Sequence, residues 1–178
     1  MRPMLTTMFL AVCALPVAGT VQAQNPATDA FRYIEQRQAK NIVDAAEEMP
    51  ADKYTFKPTE AQMSFGDVVA HLIAEGNDYL CSAASGQKAP EREKYAGTDP
   101  KDKLVAGLKD SFQFCQTAAA AMQDAQLSDS TDFFGGRKVT RALATMITVA
   151  DWADHYGQMA IYLRLNGLLP PTAKKTGT

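Results

Sequence analysis

Basic charge is in short supply in this 178-residue chain: 18 lysines and arginines face 20 aspartates and glutamates, a formal charge of −2. An electrostatic grip on nucleic acid or on anionic lipid needs the opposite balance, so neither is expected as a partner. The chain also lacks a phosphate-binding loop, a GxSxG elbow, a CxxCH haem site and any internal repeat. P-loop nucleotide chemistry, a hydrolase serine elbow and c-type haem are thereby excluded. Histidine is nearly absent, with two copies, and there are only three cysteines. No strand-like alternation competes with helical spacing anywhere. What is abundant is alanine, with 29 copies. As the best helix former it tilts the chain towards an all-α fold.

Long hydrophobic runs are missing too, apart from one near the start. Met4 to Val17 is mostly apolar behind Arg2, and Val21-Gln22-Ala23 has the small-x-small form of a signal-peptidase site. Pro16 and Gly19 break the run, which is too short to serve as a stable membrane anchor. Residues 1–23 therefore read as a signal peptide cleaved after Ala23, giving a periplasmic or secreted protein. Residues 24–171 form the folded domain, and 172–178 a flexible basic tail. Export gives meaning to Cys81 and Cys115, because in an oxidising compartment two remaining cysteines are more often a disulfide than a metal pair. Two separately buried thiols are the alternative.

Helical spacing marks four segments. The first spans about Asp29 to Met49, with Phe31, Ile34, Ile42, Ala45, Ala46 and Met49 on one face, and Pro50 closes it. Ser64 caps the second, with Asp67 three residues later in a near capping box, and the stripe Phe65, Val68, Val69, Leu72, Leu80 runs to Ser85-Gly86. A polar connection over 82–99 leads to Asp99-Pro100, which reads as an N-cap and first helical position. The third helix carries Val105, Leu108, Phe112, Cys115, Ala119 and Met122 at spacings of three and four. Residues 125–138, with Phe133-Phe134-Gly135-Gly136, read as a loop in which the phenylalanines form a hydrophobic plug or wall a pocket. The fourth helix runs from about Val139 to Asn166 and stops at Gly167.

The cysteines bear on topology. Cys81 lies about 25 Å into the second helix and Cys115 about 22 Å into the third, at 1.5 Å per residue. A disulfide requires Cα atoms within about 7 Å. If the two bond, helices two and three are parallel, and the long connection is a crossover.

Both histidines fall on helices beside the buried stripes. Asp151 stands one turn before His155 and Gln158 almost one turn after it. His71 and His155 lie at matching levels if the second and fourth helices are antiparallel. A histidine from one helix and a carboxylate–histidine pair at i, i+4 from another is a known way to build a three-ligand metal centre in a bundle. Such a centre keeps an open position, as catalytic sites do. Taken singly, each of these residues is more often a satisfied core or surface group. Glu75, one turn after His71, is a candidate ligand, orienting group or general base, and Asp154 a second candidate base, though an exposed glutamate is the plainer reading of Glu75. Tyr162 and Arg164 are candidate substrate donors, with Arg164 equally a solvated group or a partner of the helix C-terminal dipole, and Trp152 is a core or boundary residue.

The run from Asp154-His155-Tyr156-Gly157-Gln158 to Tyr162-Leu163-Arg164-Leu165-Asn166-Gly167-Leu168-Leu169-Pro170-Pro171 resembles the closing signature of the DinB family. Ala70-His71-Leu72-Ile73 with Asn77 and Tyr79 is similar to that family's first histidine helix. The resemblance covers about residues 28–171. It implies a four-helix bundle in up-down-down-up order, with helices two and three parallel. It also implies a divalent metal, zinc or nickel, on three histidines. Two match His71 and His155, and the third position holds Asp151. A His₂–carboxylate set suits zinc and also resembles the iron facial triad. The expected activity is metal-dependent hydrolysis of a small molecule. The alternative is a non-catalytic exported bundle that binds metal or ligand, or forms a homodimer. Thiol-dependent transfer, known among relatives, fits export less well.

Overall fold

The computed structural model describes residues 24–174. The expected signal peptide and the last four residues lie outside it. Helix α1 is Pro26–Glu48. Helix α2 is a continuous rod of three parts: an α-helical stretch Phe65–His71, a π-helical stretch Leu72–Tyr79 and an α-helical stretch Leu80–Ser85. Helix α3 is Lys101–Ala120 and α4 is Arg141–Leu165. Between them a short antiparallel hairpin pairs β1, Ser130–Phe133, with β2, Arg137–Thr140.

Helix α1 begins three residues before the expected Asp29, and the reason lies far away in the chain. Asp124 accepts hydrogen bonds from the backbone N–H of Ala27 (3.0 Å) and Thr28 (2.8 Å) and from the Thr28 hydroxyl (2.9 Å). A carboxylate borrowed from beyond α3 thus supplies the cap that no local side chain provides. The buried face of α1 carries the expected Phe31, Ile42, Ala45, Ala46 and Met49, and it includes two polar residues that were not expected there. Thr28, Phe31, Glu35 and Ile42 point inwards, while Ile34 is only half-buried.

The α2 cap is the expected one: Ser64 Oγ accepts from the Asp67 N–H, and Asp67 accepts from the Ser64 N–H, both at 3.1 Å. Asp99 differs. Its carboxylate accepts from the Ala96 N–H in the preceding turn and pairs with Lys103, and α3 starts after Pro100.

Two sets of contacts fix the order of the helices. Asn77 bonds Ser111 and Cys81 is bonded to Cys115, each pair 34 residues apart, so α2 and α3 run parallel. The crossover after Gly86 travels back along the bundle until Gly97 reaches the start of α2, where its carbonyl fills the space a Cβ on Gly66 would need. By contrast, Met63 meets Tyr162, His71 meets His155 and Asn77 meets Trp152, one number falling as the other rises. Helices α2 and α4 are therefore antiparallel, and the bundle is up-down-down-up.

The expected stripes of α2 and α3 all lie in the core. At its centre Trp152 is fully buried, stacked on Phe31 at 5.8 Å. Its indole N–H donates to Asn77 Oδ1 (2.8 Å), and the Asn77 amide donates to the Ser111 hydroxyl (2.8 Å). That hydroxyl donates in turn to the Leu108 carbonyl (2.9 Å), so the polar groups of this chain of three are paired rather than stranded.

The hairpin corrects the expectation of an unbroken loop. Its strands have four residues each, too short to show a period of two, and Gly135 and Gly136, both at positive φ, make the turn. Phe133 and Phe134 pack on Tyr79, with Phe134 stacked at 4.0 Å, so the pair plugs the side of α2. The tail, expected to be free from residue 172, is held as far as Lys174. Thr172 bonds the Tyr156 hydroxyl and Lys174 pairs with Glu48. No helix of the described residues is long and apolar enough to cross a membrane.

Candidate metal centre

Burial of Trp152 sets the rotation of α4. With that ring locked against Phe31 and Asn77, the flanking Asp151 and His155, one turn apart, face α2. His71 arrives from α2 at the junction of its α-helical and π-helical parts. The two imidazoles lie 4.5 Å apart between centroids. His155 Nε2 stands 3.4 Å from Asp151 Oδ1, and His71 Nε2 stands 3.6 Å from the same oxygen. One ligand atom from each of the three residues falls within 4.8 Å of the others.

The two carboxylate–imidazole separations fit a metal. Zinc bonds to imidazole nitrogen and carboxylate oxygen are about 2.1 Å long, so ligands on neighbouring corners of a tetrahedron sit about 3.4 Å apart. Two polar atoms at the site are buried without a partner, Asp151 Oδ2 and His155 Nδ1. The donor set, two imidazole nitrogens and a carboxylate, suits zinc, nickel or iron. The side chains of His71, Asp151 and His155 retain 24, 20 and 10% exposure, so the convergence point is within reach of solvent.

Electrostatics keep the carboxylate ionised. Burial alone would raise the Asp151 carboxyl, but the polar contacts and charge of His155 and His71 outweigh it and hold the group down at about 2. Contact with Asp151 in turn raises His71 above its usual value, against the lowering effect of burial.

Glu75 is not one of the three grouped residues. It lies on the other side of the His71 ring, with Oε2 3.0 Å from Nδ1. With a metal held between Nε2 and Asp151, a proton on Nδ1 shared with Glu75 would leave Nε2 as the ligating nitrogen, the orienting arrangement typical of metal-bound histidines. Asp154 is exposed on α4 and accepts a hydrogen bond from Gln158 (2.9 Å), so neither joins the cluster. Tyr162, expected as a substrate donor, is buried and donates to the Met63 carbonyl (2.9 Å). Arg164 folds back onto the Ala160 carbonyl of its own helix.

Sequence reasoning passed over one residue here. A Cβ on Gly76 would stand 2.8 Å from Asp151 Oδ2, so the carboxylate rests against bare backbone inside the π-helical stretch. No local sequence pattern announces a π-helix, which forms where tertiary contacts outweigh the regular ladder.

A family model described as the DinB superfamily matches residues 34–159. The uncharacterized protein YjoA of Bacillus subtilis (strain 168) is 23% identical over 137 residues, 76% of this chain and 86% of that protein. Its crystal structure superposes with a TM-score of 0.65 at 20% identity, covering 83% of this chain and 99% of the other. A DinB-like protein from Bacillus cereus ATCC 10987 gives 0.67 at 18% identity, covering 80 and 95%. A mycothiol-dependent maleylpyruvate isomerase gives 0.59 at 13% identity, covering 74% of this chain and 60% of that one. At these identities the structural likenesses speak for the fold.

Proposed function

The chain belongs to the DinB superfamily, and from its side-chain cluster we propose that it is a divalent-metal-dependent enzyme hydrolysing a small molecule. The observation that carries this reading is the convergence of His71, Asp151 and His155 within 4.8 Å, with two buried polar atoms left unpaired around it. His71 Nε2, His155 and one Asp151 oxygen would hold the ion, zinc or nickel first and iron next. A bound ion of this kind supplies a nucleophile at neutral pH by lowering the pKa of water, and polarises a substrate oxygen.

The chain's own residues have separate tasks. Glu75 holds the His71 proton on Nδ1 and so keeps Nε2 free. Asp151 contributes the one negative charge, remaining ionised far below neutral pH. Partial burial by the α2–α4 contact limits water around the three donors, which keep some exposure to solvent. The Cys81–Cys115 bond supports export through a signal peptide ending near Ala23, since disulfides persist in oxidising compartments. Export weighs against a thiol-dependent transfer of the kind named for the isomerase relative, because low-molecular-weight thiols are chiefly cytosolic cosubstrates.

A second reading, a non-catalytic metal-binding bundle, is favoured by the commitments of the two candidate bases. Glu75 is engaged by His71 and Asp154 by Gln158. Elemental analysis of the untagged protein, purified without chelator beside Asp151→Ala and His155→Ala, tests the metal centre. Near-stoichiometric metal that is lost in both variants is expected. No metal in the parent protein, even after reconstitution, would sink both readings. Metal without turnover across ester, amide and phosphoester panels would leave the second.

A further inference from the structure

We propose that Gly76 is the positioning residue that allows Asp151 to serve as the third donor, an inference that rests on the metal-centre reading above. In a regular α-helix of 3.6 residues per turn, residue 76 would lie about 140° around the axis from residue 71 and face away from the histidine. The π-helical stretch Leu72–Tyr79 widens the turn through i→i+5 bonding, which draws residues five apart towards one face. Gly76 accordingly comes to the same side as His71: His71 meets Asp151 Oδ1, and Gly76 backs Asp151 Oδ2.

The absence of a side chain at 76 matters for distance. An added Cβ would lie 2.8 Å from Asp151 Oδ2 and 3.2 Å from Leu72 Cδ2. The first of these is too short to persist, so the carboxylate would have to move away by about half an ångström. Metal–ligand distances tolerate only about ±0.2 Å. Asp151 Oδ1, which faces both histidines, belongs to the same rigid group as Oδ2 and would shift with it. The bare backbone at Gly76 therefore fixes the depth at which the Asp151 carboxylate sits between the two imidazoles.

The test is a double-mutant cycle of Gly76→Ala and Asp151→Ala, read by zinc titration against a chromophoric chelator and by thermal melting of the metal-free proteins. In the parent background, Gly76→Ala is expected to weaken zinc binding about 10- to 100-fold, the loss typical when a group orienting a ligand is disturbed. It should also lower the melting temperature. In the Asp151→Ala background the same substitution should leave the residual zinc affinity unchanged and lower the melting temperature less than in the parent, because only the contact with Leu72 then remains tight. The melting cycle reads the contact even if Gly76→Ala is too unstable for titration. Parent-like zinc affinity in Gly76→Ala would overturn the proposal. So would equal losses in both backgrounds, which would assign the effect to the helix rather than the carboxylate. A parent protein that binds no zinc fails the underlying reading instead, and is told apart by the first titration.

Discussion

Replacing Glu35 by glutamine should remove most of the pH dependence of stability between pH 4.5 and 7. Glu35 lies on the buried face of α1 and is 2% exposed. It borders a groove between α1 and α3 whose walls include Phe112 and the amides of Gln36, Gln113 and Gln116. The lysines along that groove are committed elsewhere, Lys40 to Asp44 at 2.6 Å and Lys109 to Glu47 at 2.5 Å. With no cation to favour its ionised form, burial pushes the Glu35 carboxyl from 4.5 up to about 7. The folded state then holds the proton more tightly than the unfolded chain does. The contribution of Glu35 to stability is fully present below about pH 4.5, is lost as pH rises towards 7, and changes no further above. At 1.36 kcal/mol per pH unit, that rise corresponds to ~3 kcal/mol. His71, raised chiefly by Asp151, adds a loss in the same direction, beginning near its ordinary value of 6.5. The quantity to measure is therefore the difference between the two proteins. Urea unfolding of parent and Glu35→Gln from pH 4 to 8, disulfide intact, should show the variant gaining on the parent by ~3 kcal/mol across the range. Parallel curves would refute the reasoning, since they would mean that folding does not desolvate the carboxyl.

Three further outcomes are expected. Reducing Cys81–Cys115, which closes a loop with sequence separation 34, should cost about 4 kcal/mol, or ~10 °C in melting temperature, as seen by calorimetry with and without reductant. Asn77→Ala should lower stability by about 2–4 kcal/mol in denaturant unfolding, because it strands both the Trp152 N–H and the Ser111 hydroxyl in the core. Glu75→Gln should weaken zinc binding about tenfold or more while leaving the melting temperature of the metal-free protein nearly unchanged, because Glu75 is exposed and meets only the His71 ring.

Periodicity made the bundle readable. The stripes of α2 and α3, the Ser64 capping box and the closing glycine of α4 are local consequences of side-chain type and spacing, and each stands where the sequence placed it. The i, i+4 pair Asp151 and His155 was legible for the same reason, and the matching level of His71 on an antiparallel helix named it as their companion before resemblance to a family added to that reading. Glu35 was missed because polarity outweighed geometry: Thr28, Phe31, Glu35 and Ile42 follow helical spacing, and a glutamate within that stripe was a readable signal of burial.

Tertiary structure alone decided the rest, where the controlling partner lies far off in the chain. Asp124 starts α1 from 97 residues away. The π-helical turn around Gly76 forms against Asp151 on α4, which brings bare backbone to the carboxylate. Tyr162 and Arg164 have the chemistry of substrate donors, yet their hydrogen bonds go to backbone carbonyls within the fold. Sequence spacing sets which side chains share a face of one helix, because the α-helical repeat is fixed by the backbone. Which atoms meet across two helices depends on rotation, depth and local unwinding, and these follow from how Trp152, Asn77 and the Cys81–Cys115 bond pack the bundle into one arrangement.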